Sequence, residues 1–219
     1  MKIFRHLTTS LVTFCALVAG GAFVFAVAVT FAVSLFRDVE ISAWNVAASQ
    51  IGPWFLLFIG VYAIHNMLPI AVAHGRTRRE FLVAASVFSV VLAVLMTAVE
   101  WLGFLVEGGI YSLMDWRADE HAAQPAYFLM YLVWFAVGML CAAAFDRYGP
   151  GGVFVLPVAF ALVVVTRVQM PGAGNLPFVQ DIPVLLGPGW TAALAASFAV
   201  ALAGTWAIAR DMPIRTRSV

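Results

Sequence analysis

Apolar residues along this chain fall into long uninterrupted stretches, separated by charged residues, glycine and proline. Six stretches have the length of a membrane-spanning helix, and they lie at about 10–36, 51–73, 82–106, 126–145, 153–170 and 190–209. A helix needs roughly 20 apolar residues to cross a hydrocarbon core about 30 Å thick. Strands of a membrane barrel would instead alternate apolar and polar residues. The pattern therefore predicts an all-α membrane protein, a single domain over residues 1–219 built as a six-transmembrane-helix bundle.

Three segments lie outside these spans. Residues 1–9 mix apolar and basic side chains, which predicts a short helix on the membrane surface. The apolar run that follows is longer than the 7–15 residues of a signal peptide, so we expect it to stay uncleaved. Residues 171–188 hold four prolines among many apolar residues, which fits either re-entrant helices or a loop packed over the bundle. Residues 210–219 are expected to form a cytoplasmic tail.

The composition agrees with a membrane protein. The chain is 63% hydrophobic and 11% charged, whereas soluble domains are about half apolar and about a quarter charged. A water-soluble enzyme, a disordered chain and a nucleic-acid-binding protein are therefore excluded. Cys15 and Cys141 both lie inside apolar runs, so we expect neither a disulfide framework nor a zinc site from them.

The distribution of basic residues predicts the orientation of the bundle. With the N-terminus inside, nine Lys and Arg residues fall on the inner side and three on the outer side. Most of the acidic residues fall outside. The positive-inside rule then places both termini in the cytoplasm and the protein in the cell membrane. The inner residues are Lys2, Arg5, Arg76, Arg78, Arg79, Arg147, Arg210, Arg215 and Arg217, and the outer ones are Arg37, Arg117 and Arg167.

The inner loop between the second and third spans has the most distinctive local sequence. Gly75 suits the end of one helix, and Thr77-x-x-Glu80 is a capping box that starts the next. Such a cap would fix how Arg78 and Arg79 project, either to dock an acidic partner or to bind lipid phosphates. The residues of this basic loop are Gly75, Arg76, Thr77, Arg78, Arg79, Glu80 and Phe81. The second inner turn, residues 146–152, is expected to do little beyond connecting two helices.

Four polar residues lie at membrane depth: His65, Asn66, Glu100 and Arg167. Ionisable groups there are costly and often functional. Counting about 1.5 Å per residue from the outer ends of their spans, Glu100 and Arg167 lie at similar depths. We therefore predict that they pair, either to pack the bundle or to form an external gate. His65 lies deeper, and a hydrogen-bonded interior role suits it better than that of a proton carrier.

Small residues predict close helix packing on the last span. Ala195, Ala199, Ala203 and Ala207 follow one another at intervals of four, and such ridges let membrane helices approach closely. The ridge suits contacts within one chain or between two chains.

Sequence motifs for catalysis are missing. The chain has no GxxxxGK[ST] phosphate loop, no HExxH, no GxSxG and no dinucleotide fingerprint. Residues 115–121 carry two carboxylates four residues apart and a histidine, which suits a metal site or a solvated acidic loop. We expect no catalytic residue, cofactor or metal, and we expect the chain not to be an enzyme.

The six spans, the inner termini and the basic loop together resemble the small permease subunits of bacterial type 2 ABC transporters. A Gly-x-[Ser/Thr]-Arg-(Arg/Lys)-x-Phe segment between spans two and three recurs in that family. The resemblance implies a half-transporter that forms a homo- or heterodimer with a second permease subunit and binds two copies of a cytoplasmic ABC ATPase. It also implies that residues 76–81 couple to the ATPase and that no nucleic acid is bound. The short external regions depart from a family pattern with a large extracellular domain.

Two other functions fit the residues. One is an ion- or proton-coupled secondary transporter that uses His65, Glu100 and Arg167. Many such folds contain inverted repeats, and this chain has no convincing internal repeat. The other is a membrane scaffold or assembly factor that transports nothing.

Overall fold

The structure is a computed structural model that describes residues 42–116, 126–167 and 188–212, together with some positions between 20 and 32. The described part of the chain is helical and contains no strand. The predicted surface helix at 1–9 lies outside the described residues, as do most of the first span and almost all of the segment 171–188.

Six α-helices account for most of the described residues. They are α1 (Ala43–Tyr62), α2 (Leu68–Ala73), α3 (Arg78–Met114), α4 (Ala126–Tyr148), α5 (Leu156–Val165) and α6 (Pro188–Ala209). A π-helical turn, Ala63–Met67, joins α1 to α2, and a 3₁₀ segment, Gly149–Val155, joins α4 to α5.

Four helical runs among the described residues are long and apolar enough to cross a membrane. They are Ala47–Ala73, Arg78–Met114, Tyr127–Val165 and Gly189–Ala209. The predicted second, third and sixth spans each fall within one of these runs. Helix α3 extends well beyond the predicted span at 82–106, since it has 37 residues. At 1.5 Å per residue that is about 55 Å, longer than the hydrocarbon core is thick.

The run Tyr127–Val165 folds back on itself. The indole Nε1 of Trp134 donates a hydrogen bond of 3.0 Å to Thr166 Oγ1. A straight helix would hold these two residues about 48 Å apart, so α4 and α5 are the arms of a hairpin. Gly149, which starts the turn, has a φ of +59°, a left-handed conformation that glycine adopts readily. The predicted fourth and fifth spans, 126–145 and 153–170, correspond to these arms, but the second arm begins as a 3₁₀ segment and its α-helix ends at Val165.

The π-helical turn has a local cause in Pro69, which follows it. Proline has no backbone N–H, so the carbonyl of His65 loses the donor that an α-helix would supply four residues later. The chain shifts instead to bonds five residues apart, and the Leu68 N–H donates to Ala63 O. Such π-turns inside helices often accompany functional residues.

The chain divides into two compact units. Unit 1 comprises Met1–Ile51 and Ala98–Ala123, and unit 2 comprises Gly52–Thr97 and Gln124–Val219. In unit 1 the start of α1 packs on the second half of α3. The indole of Trp44 occupies the space where a side chain at Gly103 would lie, and its Nε1 donates to Glu100 O at 3.0 Å.

Helix α4 forms the centre of unit 2. Every residue from 130 to 140 is buried, as expected for a helix that is apolar on all sides. The backbone of α1 contacts α4 directly, because a side chain at Gly60 would collide with Phe135 O and one at Gly138 would collide with Leu57 O. Unit 2 is therefore assembled around a close backbone contact between α1 and α4.

Helix α6 is buried along one face only. Its buried residues recur every three or four positions, and they are Trp190, Leu194, Ser197, Ala201, Thr205 and Ala209. The predicted ridge of Ala195, Ala199, Ala203 and Ala207 lies on the exposed side of the helix. Among the described residues, the ridge therefore lies opposite the face that α6 buries.

Candidate functional site

The basic loop between α2 and α3 has the predicted geometry. Gly75 has a φ of +79°, a conformation that residues with a Cβ rarely adopt. The Glu80 N–H donates to Thr77 Oγ1, and the Thr77 N–H donates to Glu80 Oε2, each at 3.2 Å. These reciprocal bonds form the capping box, and α3 begins at Arg78 directly inside it. The loop is therefore fixed at one end by the backbone conformation of Gly75 and at the other by the side-chain hydrogen bonds of the capping box.

The three arginines of the loop differ in their surroundings. Arg76 and Arg79 are exposed. Arg78 is half-buried, and its Nη1 donates to the carbonyl oxygens of Ala209 at 3.1 Å and Arg210 at 2.6 Å. Local sequence does not distinguish Arg78 from Arg79, but the structure directs Arg78 to the end of α6.

A second arginine binds the same end of α6. Arg147 Nη1 donates to Ile208 O at 3.0 Å and, more weakly, to Ala207 O at 3.4 Å. Together the two guanidinium groups contact the four consecutive carbonyls of residues 207–210. The last carbonyls of any helix lack partners within the helix. Cations near them are stabilising, because the C-terminal end of the helix dipole is negative.

The expectation that residues 146–152 only connect two helices is wrong. Asp146 and Arg147 belong to the last turn of α4, and both bind other helices. His65 Nδ1 lies 2.7 Å from Asp146 Oδ1 and donates to it, because a carboxylate only accepts. His65 is thus hydrogen-bonded as predicted, although 41% of its side chain is exposed. Asn66 lies half-buried on the same π-turn.

These residues gather at one end of unit 2, which we call the basic end. It comprises His65, the basic loop, Asp146, Arg147, Arg210 and Asp211. Asp211 Oδ2 lies 3.0 Å from Arg210 Nε and 3.9 Å from Arg147 Nη1. The basic end thus links the π-turn, α3, α4 and α6 through polar side chains.

The opposite end of unit 2, which we call the aromatic end, holds Trp54, Tyr127, Tyr131, Trp134, Arg167 and Trp190. Tyr127 and Tyr131 are buried, and the Trp54 and Trp134 rings meet edge to face at 5.1 Å. The guanidinium of Arg167 lies 5.5 Å from the centre of the Trp134 ring, a cation–π arrangement. Trp190 Nε1 donates to Val165 O at 2.8 Å.

Two buried carboxylates lie among the described residues of unit 1. Glu107 accepts hydrogen bonds from the Ser42 hydroxyl at 2.6 Å and from the Trp44 N–H at 2.9 Å. Ser42 in turn caps α1 by accepting from the Asn45 N–H. A carboxylate at the start of a helix is favoured by the helix dipole, so Glu107 anchors α1 to α3. Local sequence predicts for Glu107 only a place among the acidic residues of the outer side.

Glu100 is also buried, at 1% exposure, seven residues before Glu107 on the same helix. Glu100 belongs to unit 1 and Arg167 to unit 2, and their pairing stays a prediction. Within the described ranges, no three His, Cys, Asp or Glu side chains gather as a metal site would require. Of the acidic segment 115–121, only Asp115 and Trp116 are among the described residues.

Comparison of the chain with protein-family models, with curated proteins and with solved structures found no match.

Proposed function

We propose that this chain is the membrane permease subunit of an ABC-type exporter. In this proposal six spans form the bundle in the cell membrane, with both termini in the cytoplasm. A separately encoded ATPase binds the basic loop, and a second permease subunit completes the translocation pathway. ATP binding and hydrolysis in the partner rock the bundle and carry substrate outward by alternating access.

The observation that carries this proposal is the geometry of the basic loop. A docking element that transmits movement must be rigid, exposed and attached to the helices that move. The capping box and the left-handed Gly75 make the loop rigid. Arg76 and Arg79 are exposed, and their charges suit an acidic groove on a partner. Arg78 attaches the loop to α6.

Purification of the tagged chain in mild detergent tests the proposal. We expect an ATPase to copurify in stoichiometric amount, and we expect the double variant Arg76→Glu and Arg79→Glu to lose it. The matched control reverses the exposed Arg210, which lies at the same end but outside the loop. Absence of any ATPase from the wild-type complex would contradict the proposal.

The His65–Asp146 pair favours a second candidate function, an ion- or proton-coupled transporter. A π-turn presents His65 to a carboxylate on another helix, and histidine changes charge near physiological pH. Reconstituted into vesicles with an imposed proton gradient, the wild type would then carry protons with its substrate. Transport that His65→Gln and Asp146→Asn leave unchanged would exclude this candidate.

A further inference from the structure

We infer that Arg78 is a positioning residue, which ties the basic loop to the end of α6, and that only Arg76 and Arg79 face the partner. The identity of the partner rests on the proposed function. The tie between the loop and α6 rests on contacts within this chain alone. Within one basic motif, Arg78 faces inward and transmits movement, and Arg76 and Arg79 face outward and bind the partner.

The contacts at the basic end fix both sides of the loop. On its C-terminal side, Arg78 reaches the carbonyls of Ala209 and Arg210. On its N-terminal side, His65 of the π-turn donates to Asp146 of α4. The neighbour of Asp146, Arg147, binds the two carbonyls of α6 that directly precede the Arg78 contacts. We call His65, Arg78, Asp146 and Arg147 the polar clasp.

The contacts of the polar clasp form a closed ring, so a movement of one element is passed to the others. The loop connects to α6 through Arg78, and α6 connects to α4 through Arg147. Helix α4 connects through Asp146 to His65 of the π-turn, and α2 leads from the π-turn back to the loop. A displacement of the loop therefore loads α4 and α6 together. Since residues 130–140 of α4 are all buried in unit 2, a force on the last turn of this helix is passed along it to the centre of the unit.

Charge-assisted hydrogen bonds suit such a link. They are about twice as strong as neutral ones, and the contacts of Arg78 with Ala209 O and of Arg147 with Ile208 O are partly buried. Arg78 contacts two carbonyls from one nitrogen, so rotation of the first turn of α3 cannot leave α6 unaffected. Arg79, one position later, points away from this contact and remains exposed.

Hydrogen exchange of the purified chain, without any partner, tests the structural half of the inference. We expect Arg78→Gln to raise amide exchange in residues 206–212 by about tenfold, because the helix end loses its charged donor. Arg79→Gln, the matched control, should leave these amides as in the wild type. Arg147→Gln should raise the same amides from the α4 side, and Arg78→Lys should restore part of the protection. Wild-type exchange of residues 206–212 in Arg78→Gln would overturn the inference.

The functional half uses the copurified complex, trapped with ATP and vanadate. In the wild type we expect trapping to change exchange in both the loop and residues 206–212. In Arg78→Gln the ATPase should still copurify and the loop should still respond, while residues 206–212 should not. A normal response of residues 206–212 in this variant would overturn the inference. If the wild type binds no ATPase, the proposed function fails, and exchange in the isolated chain alone decides whether Arg78 ties the loop to α6.

Discussion

At the two ends of unit 2, different kinds of side chain donate hydrogen bonds to the last carbonyls of a helix. At the basic end, the last carbonyls of α6 accept from the guanidinium groups of Arg78 and Arg147. At the aromatic end, the last carbonyls of α5 accept from the Trp190 indole and from the Thr166 hydroxyl, which the Trp134 indole contacts in turn. The C-terminus of α6 is therefore capped by charged donors, and the C-terminus of α5 by neutral donors.

The physical problem is the same at both ends. The last four carbonyls of a helix have no partner within it, and an unsatisfied carbonyl in a bilayer costs several kcal/mol. Arginine is common at the cytoplasmic ends of membrane helices, and tryptophan is common at both membrane interfaces. Arginine and tryptophan side chains that indicate the orientation of a membrane helix therefore also donate hydrogen bonds to the last carbonyls of a neighbouring helix. The same residue can serve both the topology and the structure.

Arg167 shows how the aromatic end holds a charge. It is the arginine that the described residues place at this end, and its guanidinium lies over the Trp134 ring. The ring face carries partial negative charge and attracts the cation. At the basic end, Arg147 and Arg210 likewise lie over the rings of Tyr148 and Trp206. Both ends therefore use aromatic faces, and they differ in what donates to the carbonyls.

The largest expected effect comes from breaking the close backbone contact between α1 and α4 in unit 2. Gly138→Ala should destabilise unit 2 by about 3 kcal/mol, because the added methyl collides with Leu57 O and separates two backbones. The free energy of unfolding in detergent, from a denaturant titration, measures the effect. Gly109→Ala is the matched control, since nothing lies within 4 Å of its added carbon. It should stabilise the helix by about 0.5–1 kcal/mol. Equal effects of the two substitutions would show that the backbones of α1 and α4 are not in contact.

The next largest effect is expected at the basic end. Arg147→Met keeps an unbranched apolar stem but removes the donors to α6, and we expect a loss of about 2 kcal/mol. Arg79→Met, an exposed arginine at the same end, should change stability by less than about 0.5 kcal/mol. The same denaturant titration compares the two. If both substitutions cost the same, the guanidinium contacts with α6 do not hold that helix end.

The capping box shows what sequence can predict at this site. Thr77, Glu80 and Gly75 act on neighbours three or four positions away, so their spacing alone predicted the bonds that the structure contains. The second, third and sixth spans were predicted for a similar reason, since a long apolar run depends only on local composition. Helix ends were less predictable, and α3 continues to Met114 because apolar residues follow Glu107.

The partners of Arg78, Arg147 and Glu107 could not be predicted from local sequence. Arg78 binds carbonyls more than 130 positions away, and Glu107 binds Ser42 and Trp44 over more than 60 positions. The apolar spans also looked alike in sequence, yet α4 is buried on all sides and α6 on one. The alanine ridge of α6 lies opposite its buried face, because small size permits close packing but does not require it.

A smaller effect is expected at the aromatic end. Trp134→Phe keeps an aromatic ring beneath Arg167 but removes the indole donor to Thr166, and we expect a loss of about 1 kcal/mol. Thr166 retains its own hydrogen bond to Val163 O, so no carbonyl loses its partner. Trp101→Phe, at a half-exposed tryptophan of α3, serves as the control for loss of ring area. If Trp134→Phe lowered the free energy of unfolding more than Arg147→Met does, the aromatic end would contribute more to stability than the basic end.

The smallest effect tests whether ion pairing or carbonyl capping holds the end of α6. Asp211 is 56% exposed and lies near both Arg210 and Arg147. Exposed ion pairs contribute little, so Asp211→Asn should change the free energy of unfolding by less than about 0.5 kcal/mol. Raising the salt concentration should likewise have little effect on the wild type, because the arginine–carbonyl contacts involve only one full charge. A cost for Asp211→Asn as large as that of Arg147→Met would mean that the carboxylate positions Arg147. The basic end would then be held mainly by charge pairs, and its contrast with the aromatic end would be electrostatic rather than a difference in helix capping.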